Sequence, residues 1–161
     1  NINFGRLKMN LSLNHLYNVI PIQVALADKS GKGNLYINHR AGRAAISLIE
    51  GEESTLCQTV EVISGDMLVN SRNLPPPKIV KIDVEGYEYP VIKGLRQTLS
   101  NEVCQFVCCE IHSKRFPIET KPSTIIDLLK SLGFIHIESY KRGGEIHAFC
   151  YRNKYEFSNL K

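Results

Sequence analysis

Between Ile79 and Val84 the chain reads I-V-K-I-D-V, a near-continuous β-branched run that stops at Glu85-Gly86 and passes straight into a helical pattern. A strand that is apolar on both faces belongs inside a sheet covered on both sides, the geometry of parallel strands joined by crossover helices. The segment is therefore predicted to be a central strand. Pro90 falls in the first turn of the following helix, where its missing N–H costs nothing, and Val91, Ile92, Leu95 and Leu99 form one apolar stripe at helical spacing. Strand, tight turn and helix in this order direct the chain to an α/β arrangement.

The segments on either side repeat the alternation. Phe4, Leu7 and Leu11 predict an amphipathic helix over 3–14, Val19 to Ala27 a buried strand closed by Asp28-Lys29-Ser30-Gly31, and Leu35 to Ile37 and Thr59 to Ile63 two short strands. A helical turn opens at Gly65-Asp66-Met67-Leu68. The stretch 33–53 reads as an insertion over the sheet, with 40–43 and 50–53 exposed, and Pro75 to Pro77 stiffen the approach to Ile79. Downstream, Val103 to Ile111 is a second apolar strand. Ser123 is the expected N-cap of a helix carrying Ile125, Ile126, Leu129 and Leu132, which Gly133 closes. Phe134 to Ser139 and Ile146 to Tyr151 then pair through the turn Lys141-Arg142-Gly143-Gly144 as a terminal antiparallel hairpin. The sum is a mostly parallel sheet with a reversed strand near one edge, in a single domain over 1–161, a length that suits one core.

Composition narrows the functional classes. A formal charge of +4, from 20 Lys and Arg against 16 Asp and Glu, is small and scattered, so nucleic acid is not the expected partner, although the charge permits an anionic substrate. No apolar run approaches the ~18 residues of a membrane span. The five cysteines, Cys57, Cys104, Cys108, Cys109 and Cys150, include no CxxC pair and fit a reduced, cytoplasmic setting. Cys108 and Cys109 adjoin within a strand, so they should point to opposite faces and pack as small hydrophobes.

Chemistry concentrates at two strand ends. Asp83 and Glu85 stand two apart at the carboxyl end of one predicted strand, Glu110 and His112 two apart at the carboxyl end of the next, and period-two geometry puts each pair on one face. Ligands of open α/β sheets bind in the crevice beyond the carboxyl ends, so these four are the candidate catalytic residues. Asp83 in so apolar a strand is costly unless it is paired or faces the crevice. Glu88 is read instead as an acidic residue meeting the positive end of the helix dipole. The same four groups carry the donor atoms of a divalent cation site, but ligand geometry cannot be read from spacing across separate strands, and no metal is assigned.

At KIDVEGYEYPVIKGL, from Lys81 to Leu95, the sequence resembles the FkbM family of S-adenosylmethionine-dependent methyltransferases, whose members carry a K-I-D-V-E-G-x-E strand-turn-helix block followed by an aliphatic residue and K-G. Further blocks agree in order: FGRLKMNLSLN and IPIQVALADKSG with the family's helix and third strand, CQTVEVISGDML with its short strand before a linker, and CCEIH with its later strand ending in an acid. Lys32 to Leu56 and roughly the last ten residues match poorly.

The resemblance implies a Rossmann-like seven-strand methyltransferase fold and methyl transfer from S-adenosylmethionine to a hydroxyl of a sugar or natural-product-like small molecule. It places the adenine near Ala27 and Asp28 and the methyl group near Asp83; the chemistry of the strand ends then makes Glu110 or His112 the expected base. No glycine-rich loop or acidic ribose-binding strand occurs within the sequence ahead of these blocks. The fold is therefore expected to be incomplete at the N-terminus, without its first two strands, and the fragment alone to be inactive. The alternative is a non-catalytic α/β remnant or interaction module, from which cofactor binding would distinguish it.

Overall fold

The computed structural model describes residues 2–38, 45–47, 56–116 and 120–153. The chain opens with α1 (Ile2–Leu13), as its apolar spacing predicts, and continues through β1 (Ala25–Ala27), β2 (Gly31–Asn38), β3 (Ala45–Ser47) and β4 (Leu56–Ser64). These strands form a sheet in the order β1-β4-β2-β3. α2 (Gly65–Ser71) starts where the Ser64 hydroxyl accepts the Met67 N–H at 3.2 Å. The second half comprises β5 (Ile79–Ile82), α3 (Glu88–Gly94), α4 (Arg96–Ser100), β6 (Phe106–Ile111), α5 (Pro122–Ser131), β7 (His136–Arg142) and β8 (Glu145–Tyr151). Its sheet runs β5-β6-β8-β7, so β8 returns antiparallel between β6 and β7, the reversed strand and terminal hairpin that the turn glycines predict.

The architecture is mixed α/β with two mixed sheets, which corrects the expectation of a mostly parallel one. β1 with β4 and β5 with β6 are parallel, whereas β2 pairs antiparallel with both β3 and β4, and β8 with both β6 and β7. Tight connections can only return a strand antiparallel, because a parallel partner needs a crossover of a dozen or more residues. Of the stretch read as an insertion, 33–38 and 45–47 belong to the sheet, in β2 and β3, and β2 pairs with β4 from Gly31 to Ile37. The residues expected to be exposed at 40–43 and 50–53 lie outside the described residues.

Three local expectations also shift. β5 is an edge strand, bonded only to β6 among the described residues, and Ile79 is 66% exposed. Of the strand expected over Val19 to Ala27, only Ala25–Ala27 forms: Pro21 removes a donor, and the free side of β1 finds no partner among the described residues. α5 opens at Pro122 with Lys121 at the capping position rather than at Ser123, because proline's fixed φ suits the first helical residue. Gly133, at φ +99°, closes that helix as predicted.

The core lies on one face of the second sheet. Along β6 burial alternates, and Val107, Cys109 and Ile111 join Ile82, Ala148 and Cys150 beneath Val91, Ile92 and Leu99 of the α3–α4 pair and Ile125 and Leu129 of α5. The opposite face stacks Phe106 on Tyr151 at 4.8 Å between ring centroids and carries Cys108 and Glu110 half-buried. α3 also meets β1, where Gly94 lies so close to the Ala27 carbonyl that a side chain has no room. Asp66 of α2 accepts the N–H groups of Gln97 and Thr98 at 2.9 and 2.8 Å, anchoring the start of α4. Among the described residues no helix is long and apolar enough to cross a membrane.

Candidate active site

The parallel register of β5 on β6, Ile82 opposite Cys109, carries both strands to the same end of the sheet. Asp83 leaves β5 there with its carboxylate on the Lys81 ammonium at 2.6 Å. Glu85 and Gly86 follow at φ +56° and +103°, two successive left-handed residues that turn the chain sharply. At Gly86 a Cβ would sit 2.8 Å from the Arg115 carbonyl, so only glycine fits both the torsion and the contact. The turn aims Glu88 back beneath itself, where its Oε1 accepts the Gly86 N–H at 3.0 Å.

His112, just past β6, completes the group. Its Nδ1 lies 2.7 Å from Glu88 Oε1, with Glu88 fully buried and the ring only 4% exposed. The Glu88 carboxylate, accepting from Nδ1–H, fixes the ring and turns Nε2 toward the crevice. Around Nε2 stand Glu85 Oε2 at 3.4 Å, Glu110 Oε1 at 3.8 Å and Asp83 Oδ1 at 3.9 Å. The hydrogen bond it donates to Glu88 holds the imidazole above its ordinary pKa; burial opposes this, and the charges of Glu88, Asp83 and Glu110 add to it. Arg115 ion-pairs with Glu85, and the second oxygen of Glu110 lies 3.8 Å from His147 Nδ1.

All four residues expected to be catalytic are thus brought into one cluster. Ala27 and Asp28 are not part of it: Ala27 is buried against α3, and Asp28 pairs with Lys93 at 2.9 Å. They do end the strand whose Ala25 and Leu26, with Asp83, Val84, Tyr87, Phe4 and Leu7, line a cleft of about 610 Å³. Glu88 is the participant that sequence reasoning assigned elsewhere. Its signal was present as a carboxylate between Tyr87 and Tyr89 that a burying helix face would have to pair. The thiols stand apart from this chemistry: burial raises the pKa of Cys109 and pushes that of Cys150 up to about 12, as befits core packing.

The Methyltransferase FkbM domain matches residues 1–135. The chain belongs to the FkbM methyltransferase family. Among curated proteins, the FkbM-family chain is 36% identical over 95 residues to the hexuronic acid methyltransferase AglP of Haloferax volcanii. The match covers 59% of the chain and 37% of that relative, so the chain spans little more than a third of the curated protein it resembles. No solved structure matches it significantly.

Proposed function

We propose that this chain is the acceptor-side portion of an S-adenosylmethionine-dependent O-methyltransferase whose acceptor is a hydroxyl of a sugar acid or a related polyhydroxyl compound. The observation that carries the reading is the buried Glu88–His112 pair aiming Nε2 at Asp83, Glu85 and Glu110, at the carboxyl ends of two adjacent parallel strands. Family membership supports methyl transfer, and the relative named for hexuronic acid supports a sugar acid over a generic hydroxyl compound.

The described residues suit one end of the cofactor. The cleft's volume is that of a small-molecule site, its walls at Leu26, Val84 and Tyr87 are apolar or aromatic, and the Asp83 carboxylate complements a sulfonium charge. They supply no glycine-rich cradle of backbone N–H groups. β1 and β5 each pair on one side only among the described residues, and the cleft is lined by Val24 to Leu26 on one side and by Asp83, Val84 and Tyr87 on the other. Further strands of the same protein paired with those edges would join the two sheets into one continuous methyltransferase-like sheet and bring such a cradle.

When bound, the cofactor supplies an electrophilic methyl group on sulfur. This chain's task is to hold the acceptor oxygen in line with that methyl at about 3 Å and to promote loss of the hydroxyl proton, work for the cluster of Asp83, Glu110 and His112. The reduced cysteines Cys104, Cys108, Cys109 and Cys150 support a reducing, cytoplasmic compartment.

In the full-length protein, Asp83→Asn and Glu110→Gln should each slow methylation of a glucuronic or galacturonic acid acceptor about a hundredfold or more, with S-adenosylmethionine binding by calorimetry retained at least for Glu110→Gln. Wild-type rates in both variants would remove the cluster from the reaction. A full-length protein that takes up no S-adenosylmethionine would establish the non-catalytic alternative.

A further inference from the structure

We infer that Asp83, Glu110 and His112 form a binding site for one divalent cation, of the Mn²⁺ type rather than Mg²⁺, to which the acceptor's hydroxyl is presented. The inference rests on the proposed methyl transfer and specifies how the cluster performs it.

Geometry comes first. One ligand atom from each of the three residues lies within 4.8 Å of the other two, close enough to converge on a single ion with bonds of ordinary length after modest side-chain rotation. The three come from two neighbouring strand ends: Asp83 follows β5, Glu110 stands near the end of β6, and His112 lies just past it. The hydrogen-bonded ladder fixes their spacing, because Ile82 and Cys109 are register partners.

The imidazole provides an independent observation. His112 is only 4% exposed, its Nδ1 is committed to Glu88, and among the described residues its Nε2 makes no hydrogen bond while facing three carboxylates at 3.4 to 3.9 Å. A ligating histidine almost always donates its other ring N–H to a carboxylate or carbonyl, which fixes the tautomer and points the free nitrogen at the ion. Glu88 occupies that supporting position and is itself fully buried, so the ring is held without a contribution from solvent.

Charge agrees. Asp83, Glu85, Glu88 and Glu110 put four carboxyl groups around one ring, and the nearby cations Lys81 and Arg115 are each taken up by a single partner. A sugar acid entering this crevice brings another carboxylate. A divalent ion removes the repulsion and gives the acceptor oxygens a common point of attachment. Two carboxylate oxygens and one imidazole nitrogen form a mixed donor set, which favours a first-row transition ion over Mg²⁺. Glu85, committed to Arg115, is left beside the ion as a neighbouring carboxylate.

For the reaction, a hydroxyl coordinated to the ion loses its proton more readily. The O–H bond breaks with its proton passing to solvent past the exposed edge of Asp83, while the oxygen's electron pair forms the O–CH₃ bond. The sulfur keeps the electrons of the broken S–CH₃ bond and leaves as a neutral thioether.

The test is a titration of the metal-free full-length protein with Mn²⁺ alone, following the signal of the free ion by electron paramagnetic resonance, with Mg²⁺ in a parallel series. One Mn²⁺ should bind per chain, and the Asp83→Asn/Glu110→Gln double variant should abolish saturable binding. Glu88→Gln, which keeps a side-chain acceptor for the ring, should weaken binding about tenfold or more while the circular dichroism spectrum is unchanged. Absence of saturable binding in the wild type, or wild-type affinity in the double variant, overturns the cation site. The same samples titrated with S-adenosylmethionine separate the two readings: cofactor uptake without Mn²⁺ uptake overturns the ion and leaves methyl transfer standing. Mn²⁺ uptake without cofactor uptake supports the ion and overturns methyl transfer.

Discussion

Among the described residues the two sheets have four strands each, yet they are stabilised very differently. The second sheet lies under three helices, and this sheet and the elements packed on it hold nearly every buried apolar side chain among the described residues, with Phe134, Leu99, Leu129 and Ile125 at 0% exposure. Among the described residues the first contributes only Ala27 and Val62 to the core, while the segment leading into it leaves Ile2, Leu13, Tyr17 and Ile20 at 69 to 78% exposure. Hydrogen-bonded ladders exist in both, so the difference lies in what covers the faces. Apolar burial contributes roughly 25 cal/mol per Å² and dominates folding. The comparison teaches that the site belongs to the half that holds itself together, where a fixed frame can keep carboxylates and an imidazole in register.

The largest test of that asymmetry is truncation of the two kinds of apolar residue. Phe134→Ala removes a fully buried ring that also packs beneath Arg152 at 4.9 Å, and should cost about 3–5 kcal/mol in chemical denaturation. Leu7→Ala, at a residue 44% exposed on the cleft wall, should cost about 0.5 kcal/mol. Equal losses would show that the two halves share one core.

A smaller effect is expected where the halves meet. Gly94→Ala drives a methyl group into the Ala27 carbonyl, and because that obstacle is backbone the helix must move away from β1 at a cost of about 1–3 kcal/mol. Thermal melts that stay unchanged would mean α3 does not lean on β1 in solution.

The smallest effect concerns pH at the same joint. The Lys93 ammonium's hydrogen bond holds the Asp28 carboxyl below the usual carboxylate range, against the opposing effect of burial and with the Lys93 charge adding to it. A depressed folded-state pKa means the contribution is complete above the unfolded value near about 3.9 and is lost as pH falls through the folded one. With both partners partly in solvent, screening keeps the pair near about 0.5 kcal/mol. Asp28→Asn should therefore lower stability slightly at pH 7 and not at pH 2, as read from paired denaturation curves. A difference that persists at pH 2 would assign it to packing.

Much of the second half was legible in the sequence. The stripe Val91, Ile92, Leu95 and Leu99 is buried as its spacing predicts, Cys109 lies in the core while its neighbour Cys108 does not, and Gly133 and the Gly143-Gly144 turn end their elements. The first half was less so. Its exposed apolar residues read like buried ones, and the composition of 33–53 gave no sign that 31–37 would pair with 56–62. Apolar run length misjudged β5 for a related reason: a run reports that a segment is apolar, not whether a neighbouring strand is present on each side.

By itself the sequence determined the local units: the strand ending in Asp83, the turn through Gly86, the helix after it, and the family to which that block belongs. Period-two geometry also sufficed to put Asp83 and Glu110 at comparable strand ends. Only the tertiary structure decided that β5 and β6 are adjacent and in register, and hence that Glu88 and His112, 24 residues apart, meet at 2.7 Å in a buried pair. Periodicity is a property of one segment, whereas a contact between distant segments depends on strand pairing and on the free energy of burying both partners together.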